Sequence, residues 1–184
     1  MVTKISYDKT YELKNYNPVT FFNEPKVIGT GSYGKVILVK NIIDHKLYAI
    51  KHMEKKDLYK TLRSLNGIKQ EINIQSRIYH PNIVRLLYVK EDEKNYDLVM
   101  EYAKGGSLFY YIRKSKFLTE KESFKYFIQI ANAVYFLHLN DLIHRDIKPE
   151  NILIFNNDNV KLCDFGWCVR LEGKQRQTFC GTTE

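Results

Sequence analysis

The stretch KVIGTGSYGKVILVK, residues 26–40, decides between two folds. Gly29, Gly31 and Gly34 form a Gly-x-Gly-x-x-Gly match, which in a dinucleotide-binding fold stands between a strand and a helix. Here Val36, Leu38 and Lys40 alternate with Ile37 and Val39, the period of two that marks a strand. The glycines therefore join two strands, and the dinucleotide reading fails. A glycine turn of this kind is either an ordinary hairpin or a cover for phosphates, approached closely by bare backbone amides. These residues alone leave both readings open.

Working outward, KLYAIKHM follows the turn residues Asp44-His45-Lys46 and reads as a third strand. In LNGIKQEINIQSRI, Leu65, Ile68, Ile72, Gln75 and Ile78 recur every three or four residues, as on one helix face. His80-Pro81-Asn82 should end that helix, because the residue before a proline is pushed out of helical geometry. IVRLLYVK and YDLVMEY then read as strands around the charged turn EDEKN. Lys104-Gly105-Gly106 breaks the pattern. Thr119-Glu120-Lys121-Glu122 is a capping box announcing a long helix, with Phe124, Phe127, Ile128, Ala131, Val134, Tyr135 and His138 as its apolar face. NILIF and VKLCD flank Asn156-Asn157-Asp158-Asn159 as a hairpin. We expect a polar, tyrosine-rich extension over 1–24, a small antiparallel sheet with one inserted helix over 25–102, and a helical part over 103–184.

With 44% hydrophobic and 27% charged residues the chain is expected to be soluble and to form a core. No segment approaches the ~18 continuous apolar residues of a membrane span, and the N-terminal stretch has no apolar secretory core. Cys163, Cys168 and Cys180 lack metal-ligand spacing and fit free thiols in the cytosol or nucleus. The formal charge of +8 is spread through mixed-sign stretches such as EDEKN and TEKES, so no nucleic-acid partner is expected.

The candidate chemistry gathers in LIHRDIKPENIL, residues 142–153. Asp146 can orient, or accept a proton from, an attacking hydroxyl. Asn151 and Asp164 are hard oxygen donors suited to Mg2+. Lys148 can neutralise charge on a transferring phosphoryl group, and His144 reads as structural. Lys51, in the apolar setting of YAIK, needs a carboxylate, and Glu71 is the candidate. That pair either fixes a phosphate-binding ammonium or is only a buried ion pair.

Together these segments resemble the eukaryotic protein kinases. IGTGSYGKV is similar to their glycine loop, YAIK to the strand lysine, HRDIKPEN to the catalytic loop, and Asp164-Phe165-Gly166 to the metal-binding motif, in matching order. The resemblance implies an α+β, two-lobe fold, with an antiparallel N-lobe sheet carrying one regulatory helix and a mainly helical C-lobe. It implies ATP and Mg2+ as cofactors. Lys51, paired with Glu71, would hold the α- and β-phosphates, Asp146 would be the catalytic base beside Lys148, and Asn151 and Asp164 the metal ligands. Gly29, Gly31 and Gly34 would cover the nucleotide. Ile28, Val36, Ala49 and Leu153 would line the adenine slot with Met100 behind it, and Glu101 and Ala103 would offer backbone hydrogen bonds. Glu150 would complete the set, where such kinases often meet a substrate arginine.

Within that family DFGWCV, EINIQSRIYHPNIVRL and RQTFCGT resemble the Aurora kinases. The resemblance implies a serine/threonine kinase preferring basic sequences, with Thr178 as activating phosphosite, Arg176 before it, and Arg145 able to pair with its phosphate. It also implies an activating partner and a spindle-associated, cytoplasmic or nuclear place of action. The chain ends at CGTTE, where the family continues into an Ala-Pro-Glu motif and further helices, so the C-lobe is expected to be incomplete and the long helix partly uncovered. The alternative expectation is a truncated, inactive or partner-dependent ATP-binding module.

Overall fold

In a computed structural model the described residues are 23–31, 34–42, 44–58, 65–156 and 159–171. They divide into two compact units, one holding 23–77 and 85–102 and the other 78–84 and 103–171. The extension over 1–22, Ser32, Tyr33, Asn157, Asp158 and the Arg176 to Cys180 stretch lie outside the described residues.

The first unit is built on strands β1 (Asn23–Gly31), β2 (Gly34–Lys40), β3 (Leu47–Glu54), β4 (Leu86–Glu91) and β5 (Asn95–Glu101), in the order β1-β2-β3-β5-β4. Every pairing is antiparallel. The glycine turn closes at the Gly31↔Gly34 pair. Gly34 has φ +143°, and a Cβ there would run into the backbone carbonyl of His52, so that position needs glycine twice over.

Register sorts the side chains. Val36, Lys51 and Leu98 stand opposite one another across β2, β3 and β5, and so do Leu38, Ala49 and Met100. Two helices, α1 (Lys55–Leu58) and α2 (Leu65–Gln75), contribute to the cluster of this face. There Met53, Leu58, Ile68, Leu86, Tyr96 and Leu98 are buried, with Ile72, Val89 and Met100 packed against them. Each such aliphatic side chain contributes about 1.5–3 kcal/mol relative to exposure. Val39, Ile50 and Val99 make a smaller cluster with Ile37, Tyr48 and Tyr88.

Three details differ from expectation. The sheet carries two helices rather than one, because α1 is a single turn and too short to show a period. α2 stops at Gln75, ahead of His80-Pro81, in a turn where Arg77 N–H donates to Ile74 O at 3.2 Å. β4 starts at Leu86 rather than Ile83, because Ile83 pairs in parallel with Leu162 and Val84 N–H donates to Leu162 O instead.

In the second unit, helices α3 (Leu108–Ser115) and α4 (Glu120–Leu139) accompany two short antiparallel pairs. These are β6 (Leu142–Ile143) with β9 (Val169–Arg170), and β7 (Ile152–Ile154) with β8 (Val160–Leu162). The class is thus the expected α+β, an antiparallel sheet followed by a mainly helical part. α3 was not expected; Ser107 caps it by accepting from Tyr110 N–H at 3.2 Å. The capping box of α4 is present, with Glu122 N–H donating to Thr119 Oγ1 at 3.2 Å and Thr119 N–H to Glu122 Oε2 at 2.9 Å.

The apolar face expected on α4 is partly uncovered, as anticipated, and a second stripe packs. Tyr126, Ile130, Ala133 and Leu137 are buried, whereas Phe124 and Phe127 are 66% and 68% exposed. The helix has two apolar stripes, each at helical spacing, and periodicity cannot say which one packs. Among the described residues no helix is long and apolar enough to cross a membrane.

Candidate active site

The expected site residues fall in both units. Ile28, Gly29, Gly31, Gly34, Val36, Ala49, Lys51, Glu71, Met100 and Glu101 belong to the first; Ala103, Asp146, Lys148, Glu150, Asn151, Leu153 and Asp164 belong to the second.

In the first unit Lys51 projects from the middle of β3 and Glu71 from α2, and Lys51 Nζ lies 3.0 Å from Glu71 Oε1. The Glu71 side chain is 2% exposed and that of Lys51 16%, so the charges meet in a nearly dry setting. Val36, Ala49 and Met100 sit on the same sheet face as Lys51, by register. Ile28 lies at the register shift between Val27 and Gly29, where the strand bulges, and it is exposed. Glu101 Oε1 accepts from Arg85 N–H at 2.8 Å, which pins the end of β5 to the residue before β4.

In the second unit the segment between β6 and β7 folds around Asp146. Its carboxylate takes a hydrogen bond from Asn151 Nδ2 at 2.9 Å and faces Lys148 Nζ at 3.2 Å. Asn151 Nδ2 also donates to the Asp146 carbonyl at 2.9 Å. With its amide nitrogen committed to Asp146, Asn151 has its carboxamide oxygen to offer a cation. The 3-10 turn Pro149–Asn151 carries Glu150 at the exposed surface and runs directly into β7, which holds Leu153.

His144 ties this segment to the strand that leads to Asp164. Its Nδ1 accepts from Asp146 N–H at 3.3 Å while Nε2 donates to Cys163 O at 3.0 Å, which fixes the neutral tautomer. Burial pushes the imidazole below the usual histidine range, against smaller opposing effects of the Cys163 carbonyl and the nearby Asp164 and Asp146 charges. The structural reading of His144 thus has a geometry: the ring also packs edge-on against Phe165, centroids 5.0 Å apart.

Asp164 follows β8 with left-handed backbone angles, φ 59° and ψ 80°, and makes no capping bond to the 3-10 turn Phe165–Trp167 behind it. Arg145 is also left-handed, φ 68°, and its Nε donates to Trp167 O at 2.7 Å. Such angles cost a non-glycine residue about 1–2 kcal/mol and persist where surrounding bonds hold them. The phosphate-pairing role expected of Arg145 concerns residues outside those described.

Sequence reasoning missed the glycine pairing behind this unit. Gly105 N–H donates to Ile154 O at 3.0 Å and Ile154 N–H to Gly106 O at 2.8 Å, so the supposed pattern breaker lines up beside β7. It also missed an apolar groove of about 640 Å³ beside α4, lined by residues including Leu108, Phe127, Val134, Tyr135, Ile147 and Ile152.

The family profile described as protein kinase domain matches residues 22–184. Aurora kinase B of Drosophila melanogaster is 42% identical over 159 residues, covering 85% of this chain and 48% of that protein. An Aurora kinase of Schizosaccharomyces pombe is 39% identical over 166 residues, covering 90% and 46%. A cAMP-dependent protein kinase catalytic subunit of Dictyostelium discoideum is also 39% identical, over 163 residues, covering 89% and 25%. The chain spans about half the length of the Aurora relatives it matches.

Proposed function

Because the chain belongs to the protein kinase domain family, we propose that it is a serine/threonine protein kinase of Aurora-like type, transferring the γ-phosphoryl group of ATP to a protein hydroxyl with Mg2+. The observation that carries this reading is the cluster around Asp146, whose buried carboxylate is held by Asn151 and Lys148. Asp146 would receive the proton of the attacking hydroxyl. The Asn151 oxygen, oriented by the amide bond to Asp146, and the Asp164 carboxylate are hard donors that fit Mg2+, which would neutralise phosphate charge. Lys51, held by Glu71, would fix phosphate oxygens. Positioning and charge supply most of what phosphoryl transfer asks of a protein.

Glycines 29, 31 and 34 would cover the phosphates. Ile28, Val36, Ala49, Met100 and Leu153 would contact adenine, and the Glu101 and Ala103 backbone would bond to it. The exposed Glu150 favours substrates carrying Ser or Thr near arginine. The kinship with Aurora kinases supports an intracellular setting, an activating partner and action at the spindle. A second reading, an ATP-binding module completed by another polypeptide, is favoured by the exposed stripe of α4.

Incubating the chain with Mg·ATP and a basic threonine peptide, then weighing both by intact mass, separates these. Added phosphate that disappears in Lys51→Met supports the kinase. ATP binding without added phosphate supports the module, and neither refutes both.

A further inference from the structure

We propose that Asn82 and Gln129 are positioning residues for Asp164, an amide pair that fixes the start of the strand from whose end Asp164 emerges. The proposal rests on the reading of Asp164 as a magnesium ligand. β8 is three residues long, and on one side it pairs with β7, Val160 standing opposite Ile154. On its other side the backbone neighbour is the segment 82–84. Leu162 N–H donates to Asn82 O, and Val84 N–H to Leu162 O, both at 2.9 Å.

Val160 is served differently. Its N–H donates to Gln129 Oε1 at 2.9 Å, and its carbonyl accepts from Asn82 Nδ2 at 2.9 Å. Asn82 Nδ2, its two hydrogens shared among three acceptors, also lies 2.9 Å from Gln129 Oε1 and 3.0 Å from Asn159 Oδ1. Two side-chain amides, one from α4 and one from the 82–84 segment, thus do for Val160 what a neighbouring strand would do. Asn82 is 7% exposed, so these bonds are made where water cannot replace them.

The consequence reaches Asp164 because β8 is short and leads to it through Cys163 alone. A slip of one residue would carry the aspartate about 3.3 Å along the strand and turn it to the other face. Metal ligands tolerate only about 0.2 Å. Holding both polar groups of Val160 excludes that slip.

The test compares Gln129→Glu, which keeps an acceptor oxygen for both N–H groups, with Gln129→Leu, which keeps the bulk and removes it. ATP binding to the 184-residue chain is titrated by calorimetry at a series of Mg2+ concentrations, with amide exchange of Val160 followed in parallel. Gln129→Leu should raise the Mg2+ concentration for half-maximal ATP binding by about tenfold, as loss of groups supporting a metal ligand does. It should also speed exchange of Val160. Gln129→Glu should stay within about twofold of wild type. Asn82→Ala should act in the same direction and add little to Gln129→Leu, since both break one arrangement; should Gln129→Leu fail to fold, Asn82→Ser carries the same test. A folded Gln129→Leu with wild-type Mg2+ dependence overturns the proposal. A wild-type Mg2+ dependence that Asp164→Asn leaves untouched overturns the metal reading instead, and the proposal falls with it.

Discussion

Neutralising Glu71 tests whether Lys51 acts through its partner. Glu71→Gln keeps the shape and an acceptor oxygen while removing the charge that faces Lys51 Nζ at 3.0 Å. At an effective dielectric of about 20 the bare attraction at that distance is about 5.5 kcal/mol. Desolvating a carboxylate that is 2% exposed offsets much of it, and the 16% exposure of Lys51 screens the rest, so a net coupling of about 2 kcal/mol is expected. A double-mutant cycle of Glu71→Gln and Lys51→Met, followed by urea unfolding, measures it. The same four proteins titrated with Mg·ATP give the functional half. Glu71→Gln should weaken nucleotide binding in the wild-type background and do nothing further once Lys51 is methionine. A coupling below about 0.5 kcal/mol, the error of such cycles, would refute the buried-pair account. Weaker ATP binding by Glu71→Gln in the Lys51→Met background would show that Glu71 has a role of its own.

Asp146→Asn should lower phosphoryl transfer by about two to four orders of magnitude while ATP affinity, measured by calorimetry, stays near wild type; loss of affinity as well would make Asp146 structural. Gly105→Ala should cost about 2–4 kcal/mol, since its Cβ would sit 2.8 Å from Ile154 O and 2.9 Å from Ile154 Cβ and break into the pairing with β7. Gly106→Ala meets no atom within 4 Å and should cost only the strain of φ +71°, about 1–2 kcal/mol; equal effects in thermal unfolding would contradict that contrast. His144, held below the usual histidine pKa by burial, takes up its proton at lower pH in the fold than in the unfolded chain. Stability should therefore fall as pH drops below about 6.5, at up to about 1.4 kcal/mol per unit, and gain nothing above it. His80 contributes in the same direction, also through burial, so His144→Gln should reduce the slope just below pH 6.5 without abolishing it. An unchanged slope in urea melts would refute the assignment.

What could be read from the chain was what is local. The alternation through Val36–Lys40 gave β2, and the Thr119–Glu122 box located the start of α4, because each is settled by residues a few positions apart. α3 escaped because its first turn follows Gly105-Gly106, which reads as punctuation until Ser107 is seen capping Tyr110. The truncation of β4 and the burial of Asn82 depend on Leu162 and Val160, far along the chain, and no nearby residue announces them. α4 shows the same limit inside one helix, where the stripe through Ile130 and the stripe through Phe127 look alike until one is covered. The candidate chemistry was legible as residue types in order. The bonds of Asn151 to Asp146, and of His144 to both Asp146 and Cys163, had to be seen.

The pairing of β6 with β9 sets a timetable. Leu142 lies opposite Arg170, Ile143 opposite Val169, and Leu171 N–H donates to Asp141 O at 2.8 Å. Everything from His144 to Asp164 hangs in the loop fastened there, and that buckle cannot close during synthesis until Leu171 has emerged. At about 5–20 residues per second the ribosome delivers the second half of the buckle a few seconds after the first. Through that interval His144, destined for burial, waits without the clasp that will enclose it.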